Sequence, residues 1–243
     1  MTRNIYDQED FFAGYSRLPR SVQGLDGAAE WPAMRALLPA MTGRRVLDLG
    51  CGFGWFARWA RREGAASVLA IDVSAKMLAR AAEMTNDPAI TYARGDLEML
   101  DVPAAAFDLA YSSLAFHYVA NLEHTFPVIR RALTPGAPFV FSVEHPLYTA
   151  PSAPGFVTAV DGRRVWPLDR YLDEGERKTD WLATGVIKRH RTIGTYVRLL
   201  LGAGFTLTHL EEWGPTDAQI AQHPEWAVER DRPPFMLVAA RSS

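Results

Sequence analysis

The chain has 243 residues, 48% of them hydrophobic, enough to bury a full core within one α/β domain. Its formal charge of -2 provides no global basic field for a phosphate backbone or an anionic membrane surface. The single cysteine, Cys51, excludes an intrachain disulfide, and no stretch nears the roughly 18–20 apolar residues of a membrane span. The N-terminal MTRNIYDQEDFF lacks the apolar core of a signal peptide, so a cytoplasmic location is expected.

Residues 1–44 read as an N-terminal helical cap, with GLDGAAEWPAMRALLPA as one amphipathic helix entered through Asp26 or Gly27. From 45 to 145, short apolar runs alternate with segments of helical period. The runs are RVLDLG (45–50), SVLAID (67–72), ITYARGD (90–96), FDLAYSS (107–113) and APFVFSVE (137–144). Between them lie WFARWARREG, SAKMLARAAEMT with Ser74 as N-cap, and LEHTFPVIRRALTPG, closed by Pro135 and Gly136. Strand and helix in alternation predict a parallel, doubly wound sheet with helices on both faces.

The alternation breaks at 146–190, where aromatics mix with charges of both signs. An insertion just after the fifth strand reads as a lid over the pocket mouth, and equally as a solvated loop or an oligomer contact. Residues 191–243 then supply a helix from about Thr192 to Gly202 and two strand candidates, FTLTHLEEW and PFMLVAARS. The whole chain is thus expected to be one domain.

In an open α/β sheet the ligand sits beyond the carboxyl ends of the strands, beside the first strand's turn into its helix. Here that turn is RVLDLGCGFGWFAR, with Gly50, Gly52 and Gly54 at alternate positions. Glycines there permit positive φ and let peptide groups approach a ligand, and the following helix N-terminus favours an anionic group. A dinucleotide fingerprint would require a third glycine where Trp55 stands, which argues against an NAD-dependent oxidoreductase, as does the absence of a Tyr-x-x-x-Lys pair.

The spacing G-x-G-x-G behind an acidic strand residue, VLDLGCG, resembles instead the class I S-adenosylmethionine-dependent methyltransferases. The resemblance covers roughly residues 44–145 and extends more loosely to both ends. It implies a Rossmann-like, mostly parallel sheet with an antiparallel last strand, and S-adenosyl-L-methionine as cofactor. By that resemblance Gly50, Cys51, Gly52 and Gly54 lie against the methionine part and Asp48 favours its ammonium. Asp72 accepts the ribose hydroxyls, Val73 packs on the adenine, Asp96 and the Leu97 N–H serve the adenine edge, and the segment holding Ser112 lies under the reacting methyl. FFAGYSRLPRSVQG resembles the cap of small-molecule members, with Tyr15 and Arg20 reaching for the methionine carboxylate.

Methyl transfer from a sulfonium needs alignment and exclusion of water, and a base only when the acceptor is protonated. His117, after the fourth strand, Glu144 and His145, at the end of the fifth, and His190 are the candidates, each open to a plain structural reading as well. The six histidines are scattered and no metal site is expected. The expected partner is a small-molecule acceptor; the oligomeric state is undetermined. The rival readings are a tRNA or other nucleic-acid methyltransferase, for which KRHR (188–191) is too short a basic patch, and a noncatalytic cofactor-binding protein of the same fold.

Overall fold

The computed structural model describes residues 4–243. The N-terminal segment carries α1 (Glu9–Tyr15), α2 (Pro19–Val22) and α3 (Trp31–Ala36). The single long helix expected across residues 24–40 is instead a 3-10 turn, Gly24–Gly27, followed by the short α3. Two local causes explain this. Pro32 has no N–H to donate and fits a first helical turn at least cost, so the helix starts at Trp31. At Gly27 the Pro19 carbonyl comes so close that a Cβ would collide with it, which folds the turn back on α2.

The core then alternates as the apolar runs predict: β1 (Arg45–Leu49), α4 (Trp55–Arg62), β2 (Ser67–Asp72), α5 (Ala75–Glu83), β3 (Ile90–Arg94), β4 (Leu109–Ser113), α6 (Leu122–Ala132) and β5 (Pro138–Glu144). The Ser74 side chain accepts from the Met77 N–H and caps α5. After β5 come α7 (Pro146–Thr149), β6 (Val157–Thr158), β7 (Arg164–Val165), β8 (Gly175–Trp181), β9 (Ala183–His190), α8 (Ile193–Gly202), β10 (Phe205–Trp213), α9 (Asp217–Gln222) and β11 (Phe235–Ser242).

Seven strands form the main sheet in the order β10-β11-β5-β4-β1-β2-β3. β11 runs antiparallel between β10 and β5, while the pairings among β1 to β5 are parallel. The fold is a Rossmann-like doubly wound sheet with an antiparallel last strand. Winding reverses between β1 and β4, so their carboxyl ends border the crevice where such sheets take ligands. One face is packed by Phe116, Phe126, Phe139 and Phe141, in largely edge-to-face contact, and the other by Trp31, Phe56, Trp59 and Tyr111. Burial on both faces accounts for the near-continuous apolar runs of β1, β4 and β5.

The segment after β5 is more regular than its composition suggests, because β8 and β9 pair as an antiparallel hairpin from Gly175↔His190 to Trp181↔Ala183. In β9 the inward positions are Val186, Lys188 and His190, so two of the three buried side chains are polar. The hairpin's Val186, Trp181 and Leu182 pack with Ile5, Tyr6, Phe11 and Tyr15 of the N-terminal segment in a small core of their own.

Candidate active site

The three glycines of the turn after β1 answer three different demands. Gly50 has φ 75°, and a Cβ on it would sit 2.5 Å from the Ala115 Cβ. Gly54, with φ 70° as N-cap of α4, leaves room for the Tyr92 ring of β3, whose Cε1 and Cζ would lie 2.8 Å from an added Cβ. At Gly52, φ 52°, the nearest atom is the Tyr15 hydroxyl at 3.8 Å, so this glycine keeps a wall open rather than a packing contact. Gly50 and Gly52 line a cavity of about 420 Å³; Gly54 does not, and the space its missing Cβ leaves is taken by Tyr92.

The acidic strand ends converge on the same cavity. Asp72 Oδ2 accepts from the Gly52 N–H at 2.8 Å and Oδ1 from the Ser74 N–H at 2.9 Å, which fixes the carboxylate at the rim. Burial raises its pKa. Val73, Asp96 and Leu97 follow along the wall, with Asp96 Oδ1 accepting from the Glu98 N–H at 3.0 Å. A side recess of about 90 Å³ opens between Gly50, Gly52, Tyr15 and Arg20, and Asp48 and Cys51 line it. Asp48 is 2% exposed; burial first, and the Asp72 charge second, push its pKa up to about 8. Its Oδ2 has no hydrogen-bond partner, an open acceptor suited to an ammonium. The Cys51 thiol is pushed up by burial too, so it is no thiolate. Arg20 Nη2 donates to both oxygens of the buried Glu30, at 3.0 and 3.1 Å.

Beyond the turn the cavity deepens between the ends of β4 and β5, the hairpin and residues 213–235. His117 reaches it from the 3-10 turn Phe116–Tyr118. Its Nδ1 accepts from the Glu144 N–H at 3.2 Å, and burial pulls its pKa down to about 4. A neutral ring whose Nδ1 accepts must carry its proton on Nε2. Glu144 Oε1 accepts from Lys188 Nζ at 2.5 Å, while Oε2 is buried without a hydrogen-bond partner. Lys188 is 2% exposed and lies over the Trp181 ring, 5.0 Å from its centroid.

Besides Gly54, three further predicted residues lie outside the cavity and its recess. Ser112 is fully buried and its Oγ donates to the Leu49 carbonyl at 2.8 Å, joining β4 to β1; the cavity takes the next residues, Ser113, Leu114 and Ala115. His145 caps α7 by accepting from the Leu147 N–H, and its Nε2 lies 3.0 Å from Glu212 Oε1. His190 ties the hairpin down, with Nδ1 2.9 Å from Thr149 Oγ1 and Nε2 2.9 Å from the Tyr171 carbonyl. Both histidines are fully buried and neither lines the cavity: His190 has both ring nitrogens hydrogen-bonded, whereas His145 has Nδ1 bonded and Nε2 set against Glu212 without an aligned hydrogen bond. Among the described residues no group of three or more His, Cys, Asp or Glu is placed to hold a metal. No described helix is long and apolar enough to cross a membrane.

Residues 47–141 match the family model described as a methyltransferase domain. The crystal structure of an S-adenosylmethionine-dependent methyltransferase from Mesorhizobium loti superposes with a TM-score of 0.87 at 59% identity, covering 90% of this chain and 100% of that one. This chain belongs to the class I S-adenosylmethionine-dependent methyltransferases. The methyltransferase is also 30% identical to an uncharacterized protein of Haemophilus influenzae over 98% of this chain and 96% of that protein. It is 39% identical to the malonyl-[acyl-carrier protein] O-methyltransferase of Erwinia billingiae over 80% of this chain and 78% of that enzyme. Other enzymes of that name match over half their length or less, 36% in Erwinia pyrifoliae.

S-adenosylmethionine is the cofactor of the family, and the cradle fits it. The open Gly52 wall, the unpartnered Asp48 oxygen and the anchored Asp72 carboxylate match the methionine and ribose ends of such a ligand. Farther along the cavity wall, Tyr148, Trp181, Trp226, Glu229 and Arg232 carry no local sequence signal, and Lys188 holds Glu144 from behind the wall. The only sequence signal for Lys188 is its place in GVIKRH, two residues from Val186 and His190 on one face of a strand.

Proposed function

We propose that the enzyme transfers a methyl group by in-line displacement to a small molecule held in the deep part of the cavity. The observation that carries this reading is that the cofactor cradle and a chamber walled by His117, Glu144, Tyr148, Trp181 and Arg232 form one continuous space of about 420 Å³. That volume lies within the range of small-molecule sites.

When bound, S-adenosylmethionine supplies an electrophilic methyl group on a sulfonium. Asp48 takes the ammonium, Asp72 the ribose hydroxyls, and Asp96 with the Leu97 N–H the adenine edge. Arg20, already fixed by Glu30, is a donor toward the methionine carboxylate. His117 acts as a hydrogen-bond donor through Nε2–H and orients the acceptor; a base role would require the nitrogen that already holds the proton. Glu144, clamped by Lys188, presents Oε2 to a donor on the acceptor and takes its proton where the acceptor is protonated. The β8–β9 hairpin and the N-terminal helices act as the lid that excludes water, with Trp181 and Tyr15 on its inner side. The malonyl-[acyl-carrier protein] relatives lend the reaction class, methyl transfer to a metabolic acceptor.

Calorimetric titration with S-adenosylhomocysteine, followed by mass detection of methylated products from an acceptor panel, tests the reading. Binding and a +14 Da product are expected. Binding with every acceptor left unmodified, in a cavity that admits no probe, would support the noncatalytic alternative.

A further inference from the structure

Arg232 precedes β11 and stands on the wall of the deep chamber, only 5% exposed. Its guanidinium carbon lies over the Tyr148 ring at 4.2 Å and the Trp166 ring at 4.4 Å from their centroids. Those rings stabilise the charge but accept none of its N–H bonds in the ordinary sense. Nε and Nη1 are buried without a hydrogen-bond partner. Glu229 Oε2 comes within 2.9 Å of Nη1, yet at an angle that makes no hydrogen bond, and this oxygen is itself unpartnered. The neighbouring cations are committed: Lys188 to Glu144 and Arg20 to Glu30.

A buried guanidinium with open donors is costly unless something completes it. The surroundings select what that is. An arginine fork is planar and matches the two oxygens of a carboxylate. We infer that the acceptor carries a carboxylate, bound by Arg232 in place of the misaligned Glu229, and that this group sets which small molecules enter. The inference rests on the methyltransferase reading and adds the charge class of the acceptor to it.

The test uses the full chain saturated with S-adenosylhomocysteine and titrated calorimetrically with benzoate, benzamide and benzylamine, three probes of one shape and different charge. Benzoate is expected to bind about tenfold or more tightly than benzamide, with benzylamine weakest. Arg232→Gln should erase that preference while leaving S-adenosylhomocysteine affinity in place. Glu229→Gln removes the competing carboxylate and should tighten benzoate severalfold, which decides the matter even if Arg232→Gln folds poorly. Equal binding of benzoate and benzamide, a preference for benzylamine, no binding of benzoate, or benzoate affinity untouched by either variant overturns the inference. Failure of S-adenosylhomocysteine itself to bind would instead overturn the reading beneath it.

Discussion

With Asp48 against the cofactor ammonium, as proposed, cofactor affinity should depend on pH. Its carboxyl is buried, its pKa in the free protein lies at about 8, and one oxygen has no donor within reach. A ligand ammonium placed against it favours the ionised form, so binding expels a proton wherever Asp48 is still protonated. The ionised fraction is roughly 0.3% at pH 5.5 and roughly a quarter at pH 7.5, which makes S-adenosylhomocysteine affinity rise by close to two decades, about 2.6 kcal/mol at 1.36 kcal/mol per decade. Calorimetry at pH 7 in two buffers of different ionisation enthalpy should show nearly one proton released per site. Asp48→Asn should bind like the wild type at pH 5.5 and fall behind it as pH rises. The sign for the free protein is opposite: because the folded pKa is raised, Asp48 favours folding while protonated, and that contribution is lost as pH climbs from about 4 toward 8. An affinity flat between pH 5.5 and 7.5, with no proton release, would refute the placement of Asp48 against the ammonium.

Nitrogen-15 chemical shifts of His117 should report the neutral Nε2–H tautomer from pH 5 to 8, since burial lowers its pKa to about 4; a titration near 6.5, or a proton on Nδ1, would contradict the donor role. Lys188→Met leaves Glu144 buried without its cation and should lower stability by about 3–5 kcal/mol in thermal or urea unfolding, whereas the double replacement with Glu144→Gln should recover much of the loss. Gly54→Ala and Gly52→Ala should separate folding from binding. The first meets the Tyr92 ring at φ 70° and should cost about 2–4 kcal/mol of stability, while the second strains only its own backbone, about 1–2 kcal/mol, and abolishes S-adenosylhomocysteine binding by filling the open wall.

The turn after β1 and the carboxylate that anchors it were legible because their demands are local. A strand that must end in a carboxylate, and a turn that must reach positive φ beside a ligand, imprint Asp72, Gly50 and Gly52 at fixed intervals along one stretch of chain. Even there the imprint is ambiguous. Gly54 obeys the same spacing as Gly52, yet answers to Tyr92, nearly forty residues later, and nothing local distinguishes the two causes. Ser112 likewise sits one residue from the cavity, and strand alternation turns its hydroxyl to Leu49 while Ser113 faces the ligand side.

The deep end of the cavity was legible only at His117 and Glu144, beside strand ends, and the reason is physical. Residues 161–180 hold charges of both signs, the composition of a solvated surface, but burial along the hairpin alternates residue by residue. Composition averages over that alternation, so Arg177 passes for a surface charge, as does Lys188 in the basic run KRHR, although both are buried. The chamber itself gathers Glu144 from the end of β5, Tyr148 from α7, Trp181 from the hairpin and Arg232 from the approach to β11, four segments with no shared spacing, with Lys188 holding Glu144 from behind the wall. Such a site is specified by which charges lose their water on folding, and a charge pays that cost only where a partner or a ligand meets it. Lys188 meets Glu144 within the protein; Arg232 meets no aligned partner, and its open donors are the part of the specificity that the fold leaves for the substrate to complete.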